Sequence, residues 1–599
     1  MTARIEDYAL LSDCRTAALV STEGSIDWLC LPRLDSASVF AALLGDEHHG
    51  RWQLRPVDAD AVSTRRYDGD TFVLVTRWRS GDAIAEVHEV MPVVDDPEAS
   101  VLRTDIVRRI VGIRGEMRFV QHLTLRFDYA RAMPWVRQTG TEDDPCLVAM
   151  AGPDAVAIRG ARLEPNDHEH AGDVVIREGE VRDLQLTWFP SHRDLPARLD
   201  ADAVFADTAQ WWQEWADRIT HEGPHHAEVV RSLLILRALS NRETGGIAAA
   251  ATMGLPEDVG GERNWDYRYV WLRDAALTLE ALVDHGFLHL ADAWRTWLLR
   301  AVAGDPADLQ IMYGPAGERD ITERALTHLP GFEDSRPVRL GNGAATQYQA
   351  DVVGEVVVTL AAARAAGVHE STFSWALQKQ LLRFAADQID RPDQGLWEIR
   401  GEPRYFTHSR VMMWAAFDRG VRAVEDDGLD GPVDTWRGLR DRLRAEIDER
   451  GVRDGCFVQH ADTDEVDASL LLLPQVGYCR PDDPRMLATV ERIEQTLMRD
   501  GFVYRYRTAT GVDGLPGPEG AFLACSFWLV EQYACTGRIH EAEQLMGRLC
   551  ALANDVGMLS EEYDPAAGRQ LGNTPQAFSH LALVRAADAL ARKMHRPRG

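Results

Sequence analysis

The chain has no Cys-x-x-Cys pair. Its eight cysteines stand singly at positions 14, 30, 146, 456, 479, 525, 535 and 550. That spacing signals neither a local zinc site nor a disulfide framework, so buried reduced thiols are expected. No run of about eighteen apolar residues is present, which excludes a membrane-spanning helix. The opening residues, Met-Thr-Ala-Arg-Ile-Glu-Asp-Tyr, contain no apolar signal core, and the expected location is cytoplasmic. Positive charge is in deficit: 65 Lys and Arg face 94 Asp and Glu, a formal net charge of -29. This balance disfavours nucleic acid and anionic membranes as partners and is compatible with a neutral substrate. P-loop, dinucleotide Gly motif and Gly-x-Ser-x-Gly elbow are missing, and no His-x-x-x-His metal site is read from the sequence. So are internal repeats and low-complexity tracts.

What is present is an ordinary globular balance, 45% apolar and 27% charged, over 599 residues, too many for one compact core. The hydrophobic period divides the chain. From about residue 13 to 192 short runs alternate, as in Thr71-Phe72-Val73-Leu74-Val75-Thr76-Arg77-Trp78 and Met117-Arg118-Phe119-Val120-Gln121-His122-Leu123. Gly, Asp and Pro separate many of them, the pattern of an antiparallel β-sandwich. Residues 202–218, with Trp211, Trp212 and Trp215, read as a connecting helix. Beyond it apolar residues recur at helical spacing, and twelve helices are expected: 226–241, 272–286, 289–303, 346–366, 370–390, 408–425, 433–450, 466–473, 484–499, 519–537, 538–555 and 575–594. Six helical hairpins suggest an α/α toroid. The expected organisation is therefore multidomain α and β: a β-sandwich over 1–200, a helical linker over 201–225 and a helical toroid over 226–599.

Two acidic segments lie far apart. In Gly395-Leu396-Trp397-Glu398 the apolar neighbours desolvate Glu398 and favour a protonated carboxyl that can donate. In Leu559-Ser560-Glu561-Glu562 the two acids point to opposite sides if the segment is extended, so one faces a cavity. One carboxyl to protonate a leaving oxygen and another to activate water is the equipment for cleaving a sugar acetal. A third segment, Tyr267-Arg268-Tyr269-Val270-Trp271-Leu272-Arg273-Asp274, adds rings that pack on a pyranose face. Its Arg273-Asp274 pair can share neighbouring hydroxyls, with Asp274 ionised beside the cation. Trp397 and Tyr313, the latter in the long connection 304–345, complete the candidate sugar-binding set. Gly341-Asn342-Gly343 and Thr407-His408-Ser409-Arg410 are further candidates at the leaving-group side; His580 reads as a structural histidine.

These segments together resemble glycoside hydrolase family 15, the glucoamylase and trehalase family, over nearly the whole chain. Ile5-Glu6-Asp7-Tyr8 and Gly24-Ser25-Ile26-Asp27-Trp28-Leu29-Cys30-Leu31-Pro32-Arg33 look like the start of bacterial members. Tyr269–Asp274 looks like a substrate-binding signature, Gly395–Glu398 like the acid segment and Leu559–Glu562 like the base segment. Cys525-Ser526-Phe527-Trp528-Leu529 and Gln576-Ala577-Phe578-Ser579-His580-Leu581 are family-like flanks. The resemblance implies a β-sandwich, a linker and a catalytic (α/α)6 barrel. It also implies inverting, exo-acting hydrolysis of an α-glucosidic bond with release of β-glucose. By motif position Glu398 would be the acid and Glu561 the base, with Glu562 as the fallback. Arg273 and Asp274 would hold the nonreducing glucose, and Tyr267 would sit near the reacting centre.

Val353 departs from the Tyr many relatives carry before Gly-Glu, and Ile399 from the second acid of fungal glucoamylases; both bear on substrate choice. Trehalose is the favoured substrate, with maltooligosaccharides or isomaltose as the alternative. A disaccharide phosphorylase on the same architecture, or a silent sugar-binding protein, are readings of other classes. The mechanism requires no cofactor. Some bacterial members of the family respond to phosphate and magnesium, a dependence that no local metal motif here indicates. A homo-oligomer is compatible with the sequence.

Overall fold

In the computed structural model, residues 3–93, 102–141, 144–304, 308–515 and 517–594 are described; the basic end of the chain, 595–599, lies outside them. The N-terminal part forms two eight-stranded antiparallel sheets. The first runs in the order Tyr8–Ser12, Ala17–Ser21, Ser25–Cys30, Arg51–Pro56, Glu116–Thr124, Glu169–Arg177, Glu164–Asn166, with Ser38–Phe40 paired on Ser25–Cys30. The second runs Trp135–Gly140, Pro145–Ala151, Asp154–Arg159, Val181–Pro190, Thr104–Arg114, Ala83–Val90, Leu74–Ser80, Val62–Tyr67. Alternation drives this arrangement: in Glu116–Thr124 the residues Met117, Phe119, Gln121 and Leu123 point inward while their neighbours are more exposed. One polar tie crosses the layers. Arg108, from the second sheet, is buried against Glu89 at 2.8 Å and donates to the Trp52 and Gly24 carbonyls at 2.9 and 2.7 Å. Removing one partner of such a pair costs about 3–5 kcal/mol.

The linker helix α1 spans Ala201–Ala216, capped by the Asp200 carboxylate on the Asp202 and Ala203 amides. Its Trp212 packs edge-on against Phe72 of the sandwich, and Trp215 stacks on Phe287 of the helical part at 4.1 Å. One helix thus fastens both regions through the tryptophans that marked it in the sequence.

Eleven further α-helices follow among the described residues: α2 (His226–Ala238), α3 (Leu272–Asp284), α4 (Leu288–Ala301), α5 (Val352–Ala365), α6 (Thr372–Asp387), α7 (Thr407–Glu425), α8 (Val433–Arg450), α9 (Pro484–Thr496), α10 (Leu523–Thr536), α11 (Ile539–Cys550) and α12 (Ala577–Met594). The segment expected as a helix at 466–473 is a 3-10 turn, Ala468–Leu472, followed by Pro474 and Gln475. It completes a ring of inner elements, α3, α5, α7, the 3-10 turn, α10 and α12, which closes where α12 meets α3. The inner helices are buried on most sides, as the unbroken buried run Val352–Leu360 of α5 shows. The outer helices are striped. Among the described residues no helix is long and apolar enough to cross a membrane.

The inner helices start at one end of the toroid, so their N-terminal dipoles point there and favour carboxylates. The sandwich grips the same end. The fully buried Arg268 pairs with Asp266 at 2.8 Å and reaches the Ser36 carbonyl and the Tyr129 hydroxyl at 2.9 and 3.0 Å. Trp28 donates to the Ala251 carbonyl at 3.0 Å. In Tyr267-Arg268 one side chain faces the toroid cavity and the next anchors its strand to the sandwich.

Candidate active site

Glu398 hangs from a tight turn closed by backbone bonds from Glu398 to Gly395 and from Ile399 to Gln394. Gly395 has φ +66, and a Cβ there would lie 2.8 Å from the Phe406 ring, so the turn needs glycine. Glu398 itself sits at φ 56, a strained region for a non-glycine residue and a mark of functional positioning. The Trp271 indole donates to its Oε1 at 2.6 Å, and Arg273 approaches the same oxygen at 3.6 Å. Burial raises the Glu398 carboxyl above its ordinary value, with Arg273 and then Trp271 opposing.

Glu561 precedes the short strand Glu562–Asp564 and is buried. The Tyr267 hydroxyl donates to its Oε1 at 2.9 Å, while Oε2 has no hydrogen-bond partner among the described residues. Burial, then the nearby Glu257 charge, pushes Glu561 up; Arg505 and Tyr267 pull the other way. Glu562 faces the opposite side, as strand alternation requires: it accepts from the Gly520 amide at 2.8 Å and meets Arg505 at 3.2 Å. Burial, then Glu257, holds Glu562 well above the usual carboxylate range.

The two acids are linked through aromatics. Tyr267, bonded to Glu561, and Trp271, bonded to Glu398, meet edge to face at 5.3 Å. Both carboxyls line one cavity with Tyr267, Trp271, Arg273, Asp274, Trp397, Arg505 and Phe578. Arg273 binds Asp274 at 2.8 Å and donates to the Leu396 carbonyl at 2.8 Å, joining the hydroxyl-binding pair to the Glu398 turn. Burial raises Asp274 even beside Arg273. A second chamber adjoins the first at Tyr267, Trp397, Glu398 and Arg505, and adds Arg263, Asn342, Ile399, Arg400 and Asp513. Trp397 stands between them, its indole donating to Asp467 at 2.9 Å.

Of the residues singled out from the sequence, Glu398, Glu561, Tyr267, Trp271, Arg273, Asp274 and Trp397 line the first chamber; Asn342 and Ile399 line the second. Tyr313 is a correction. It lies in the strand Met312–Tyr313 behind Trp271, fully buried, with its hydroxyl accepting from the Gln310 amide and its ring against Trp297. Thr407–Arg410 also lies away from both chambers. His408 points into the buried toroid interior, and Arg410 turns outward to Glu446 at 2.6 Å. His580 is structural: its ring meets the Ser232 hydroxyl and the Leu559 amide, holding the chain just before Glu561. Val353 is buried on α5 and lines neither chamber.

Sequence reasoning missed Arg505, the cation between the base and its neighbours. Its guanidinium lies 3.0 Å from Glu257, 2.6 Å from Glu519 and 3.2 Å from Glu562, filling the position a metal ion would take among these three carboxylates. The signal was Val503-Tyr504-Arg505-Tyr506-Arg507, an aromatic–arginine alternation like that at 267–269.

Comparison with known proteins agrees with this architecture. The family model described as glycosyl hydrolases family 15 matches residues 223–542 and 535–588, and a trehalase-like N-terminal model matches 1–167. A protein named trehalase from Mycobacterium tuberculosis is 36% identical, with 97% of this chain and 89% of that one covered. A trehalase from Mycolicibacterium smegmatis is 35% identical over 97% of this chain and 90% of its own. One from Thermoplasma volcanium is 31% identical over 98% and 93%. Among solved structures, a bacterial glucoamylase complexed with acarbose superposes with a TM-score of 0.73 over 99% of this chain and 96% of its own. At 13% identity that likeness speaks for the fold alone. A matching family model over most of the helical part, with relatives aligned end to end, establishes that this chain is a glycoside hydrolase belonging to glycosyl hydrolase family 15.

Proposed function

We propose that the protein hydrolyses the α-glucosidic bond of a small neutral glucoside, trehalose first, by a single inverting displacement. The observation carrying this reading is that Glu398 and Glu561 face one cavity, each hydrogen-bonded to one member of the Tyr267–Trp271 pair. The nonreducing glucose occupies the first chamber, its hydroxyls held by Arg273 and Asp274 and its ring beside Trp271 and Trp397. The departing sugar occupies the second chamber. Glu398, its carboxyl raised by burial, gives its proton to the glycosidic oxygen as the bond to the anomeric carbon breaks. Glu561 accepts a proton from water through Oε2 while Tyr267 steadies Oε1. The hydroxide equivalent adds from the face opposite the leaving group, and β-glucose is released. The chemistry draws on two carboxyls and water and calls for no cofactor.

Two chambers that meet at Glu398 suit a disaccharide, and the relatives named trehalase support trehalose. A cytoplasmic setting, where trehalose is a solute, fits this reading. A phosphorylase would have no use for a carboxylate base, so Glu561 weighs against that class. Glucose release from trehalose, maltose and isomaltose, assayed with and without phosphate, tests the proposal. Trehalose should give the highest kcat/KM without phosphate. Preference for maltose or isomaltose would move the substrate, and glucose 1-phosphate formed only with phosphate would change the reaction class.

A further inference from the structure

At the far end of the toroid three residues from distant parts of the chain converge. His221 belongs to the segment between α1 and α2, His285 follows the last residue of α3, and Asp588 lies on α12. One ligand atom from each falls within 4.8 Å of the others. His221 Nδ1 lies 2.9 Å from Asp588 Oδ1, and His285 Nε2 lies 3.2 Å from Asp588 Oδ2.

We propose that His221, His285 and Asp588 bind one divalent ion of the zinc type, which fastens the linker segment to the first and last inner helices of the toroid. His221 is held at both ring nitrogens. Its Nε2 lies 3.1 Å from the Pro224 carbonyl, which only accepts, so this nitrogen carries the proton. Its Nδ1 then faces a carboxylate oxygen, where either a second ring proton or a metal ion bridges the two. Two acceptors at that distance need a cation between them, a proton or a metal ion. An imidazole whose second N–H is held by a backbone carbonyl is the usual setting of a metal-ligating histidine.

The spacing suits a metal. Ligands about 2.0–2.2 Å from zinc stand roughly 3.0–3.4 Å apart in tetrahedral or five-coordinate geometry; of the two observed separations 3.2 Å falls in that range and 2.9 Å just below it. Both histidine side chains are almost wholly buried, at 1% and 3% exposure, whereas Asp588 keeps 14%. Asp588 also forms part of the wall of an open basin lined by carboxylates, Asp284 and Glu280 among them, and by five arginines. That basin gives an ion an entry path and leaves room for water as a further ligand. Arg585, on the same wall, is engaged by Glu280 at 2.8 Å. Two imidazoles and one carboxylate select zinc, cobalt or nickel over magnesium, which takes oxygen ligands. His221 and His285 lie 367 and 303 positions from Asp588, so no sequence motif could announce the site.

Untagged full-length protein, stripped with EDTA and dialysed, is titrated with Co²⁺ and then Zn²⁺. The second His/Cys/Glu group, at His225, Glu228 and Cys550, is controlled with Cys550→Ser. Expected are one Co²⁺ per chain with the visible bands of a four- or five-coordinate ion and displacement by Zn²⁺. A Zn²⁺-dependent rise in Tm should accompany binding, and all three should persist in Cys550→Ser and be lost in Asp588→Asn. If Asp588→Asn does not fold, the wild-type and Cys550→Ser spectra decide. Absence of the bands, their survival in a folded Asp588→Asn variant, or their loss in Cys550→Ser would each overturn the site and leave Asp588 paired with an imidazolium. These readouts do not depend on hydrolysis, so the result stands apart from the proposed activity.

Discussion

Glu398 and Glu561 face the same cavity from unlike supports. Glu398 sits on a glycine-dependent turn at φ 56, keeps 20% of its side chain exposed and touches one cation, Arg273. Glu561 is buried beside a short strand, within a group of carboxylates that Arg505 holds together. The first is placed by backbone geometry and raised by burial, the direction a proton donor requires. Burial raises the second as well, and the opposing charges of Glu257 and Arg505 then adjust it, as suits a group that must cycle between ionised and protonated states. Changes at the turn should therefore act through position, and changes around Glu561 through pH.

The largest effects fall on the two acids. Glu398→Gln and Glu561→Ala should each lower kcat by about 10²–10⁴-fold in steady-state assays. Azide should partly restore turnover in Glu561→Ala, since a small anion can enter where water attacked, but not in Glu398→Gln with an ordinary glucoside. Arg273→Lys comes next. A lysine keeps the charge but cannot hold Asp274 and the Leu396 carbonyl together, and kcat/KM should fall about 10–10²-fold. Gly395→Ala should destabilise the fold by about 1–3 kcal/mol, read by denaturant titration, and lower kcat more than it raises KM. An unchanged protein would deny that the turn sets the acid.

The smaller effects sharpen the account of the base. Glu562→Gln should stay within about tenfold of wild type, because burial and Glu257 already favour the neutral form of Glu562. A loss as deep as that of Glu561→Ala would transfer the base role to Glu562. Glu257→Gln should shift the pH profile. The Glu257 charge raises Glu561; without it Glu561 ionises at lower pH, and the acid limb of kcat/KM moves toward acid. A limb that stays in place would show that Glu257 does not tune the base.

The features legible in the sequence were those carried by local pattern. Alternation gave the sandwich strands, helical spacing gave the toroid, and Leu396-Trp397 gave the desolvated setting of Glu398. Alternation in an extended segment said that only one of Glu561 and Glu562 faces the cavity, and the family-like position after Ser560 pointed to Glu561. Long-range encounters were not legible. Arg505 gains its meaning from Glu257 and Glu519, and no window of sequence contains all three. Tyr313 failed for a related reason: an aromatic in a long connection resembles a sugar platform until the strand it forms turns it into the core. His408 lies at the start of α7 as expected, but the ring of inner helices directs it into the interior, away from both chambers.

The account turns on water attacking from the side opposite the leaving group, with Glu561 as its base. Proton NMR of trehalose hydrolysis, recorded before mutarotation, tests this directly. Inversion at one ring and none at the other predicts β- and α-glucose appearing in equal amounts from the first spectrum. Initial release of α-glucose alone would show retention and contradict the account.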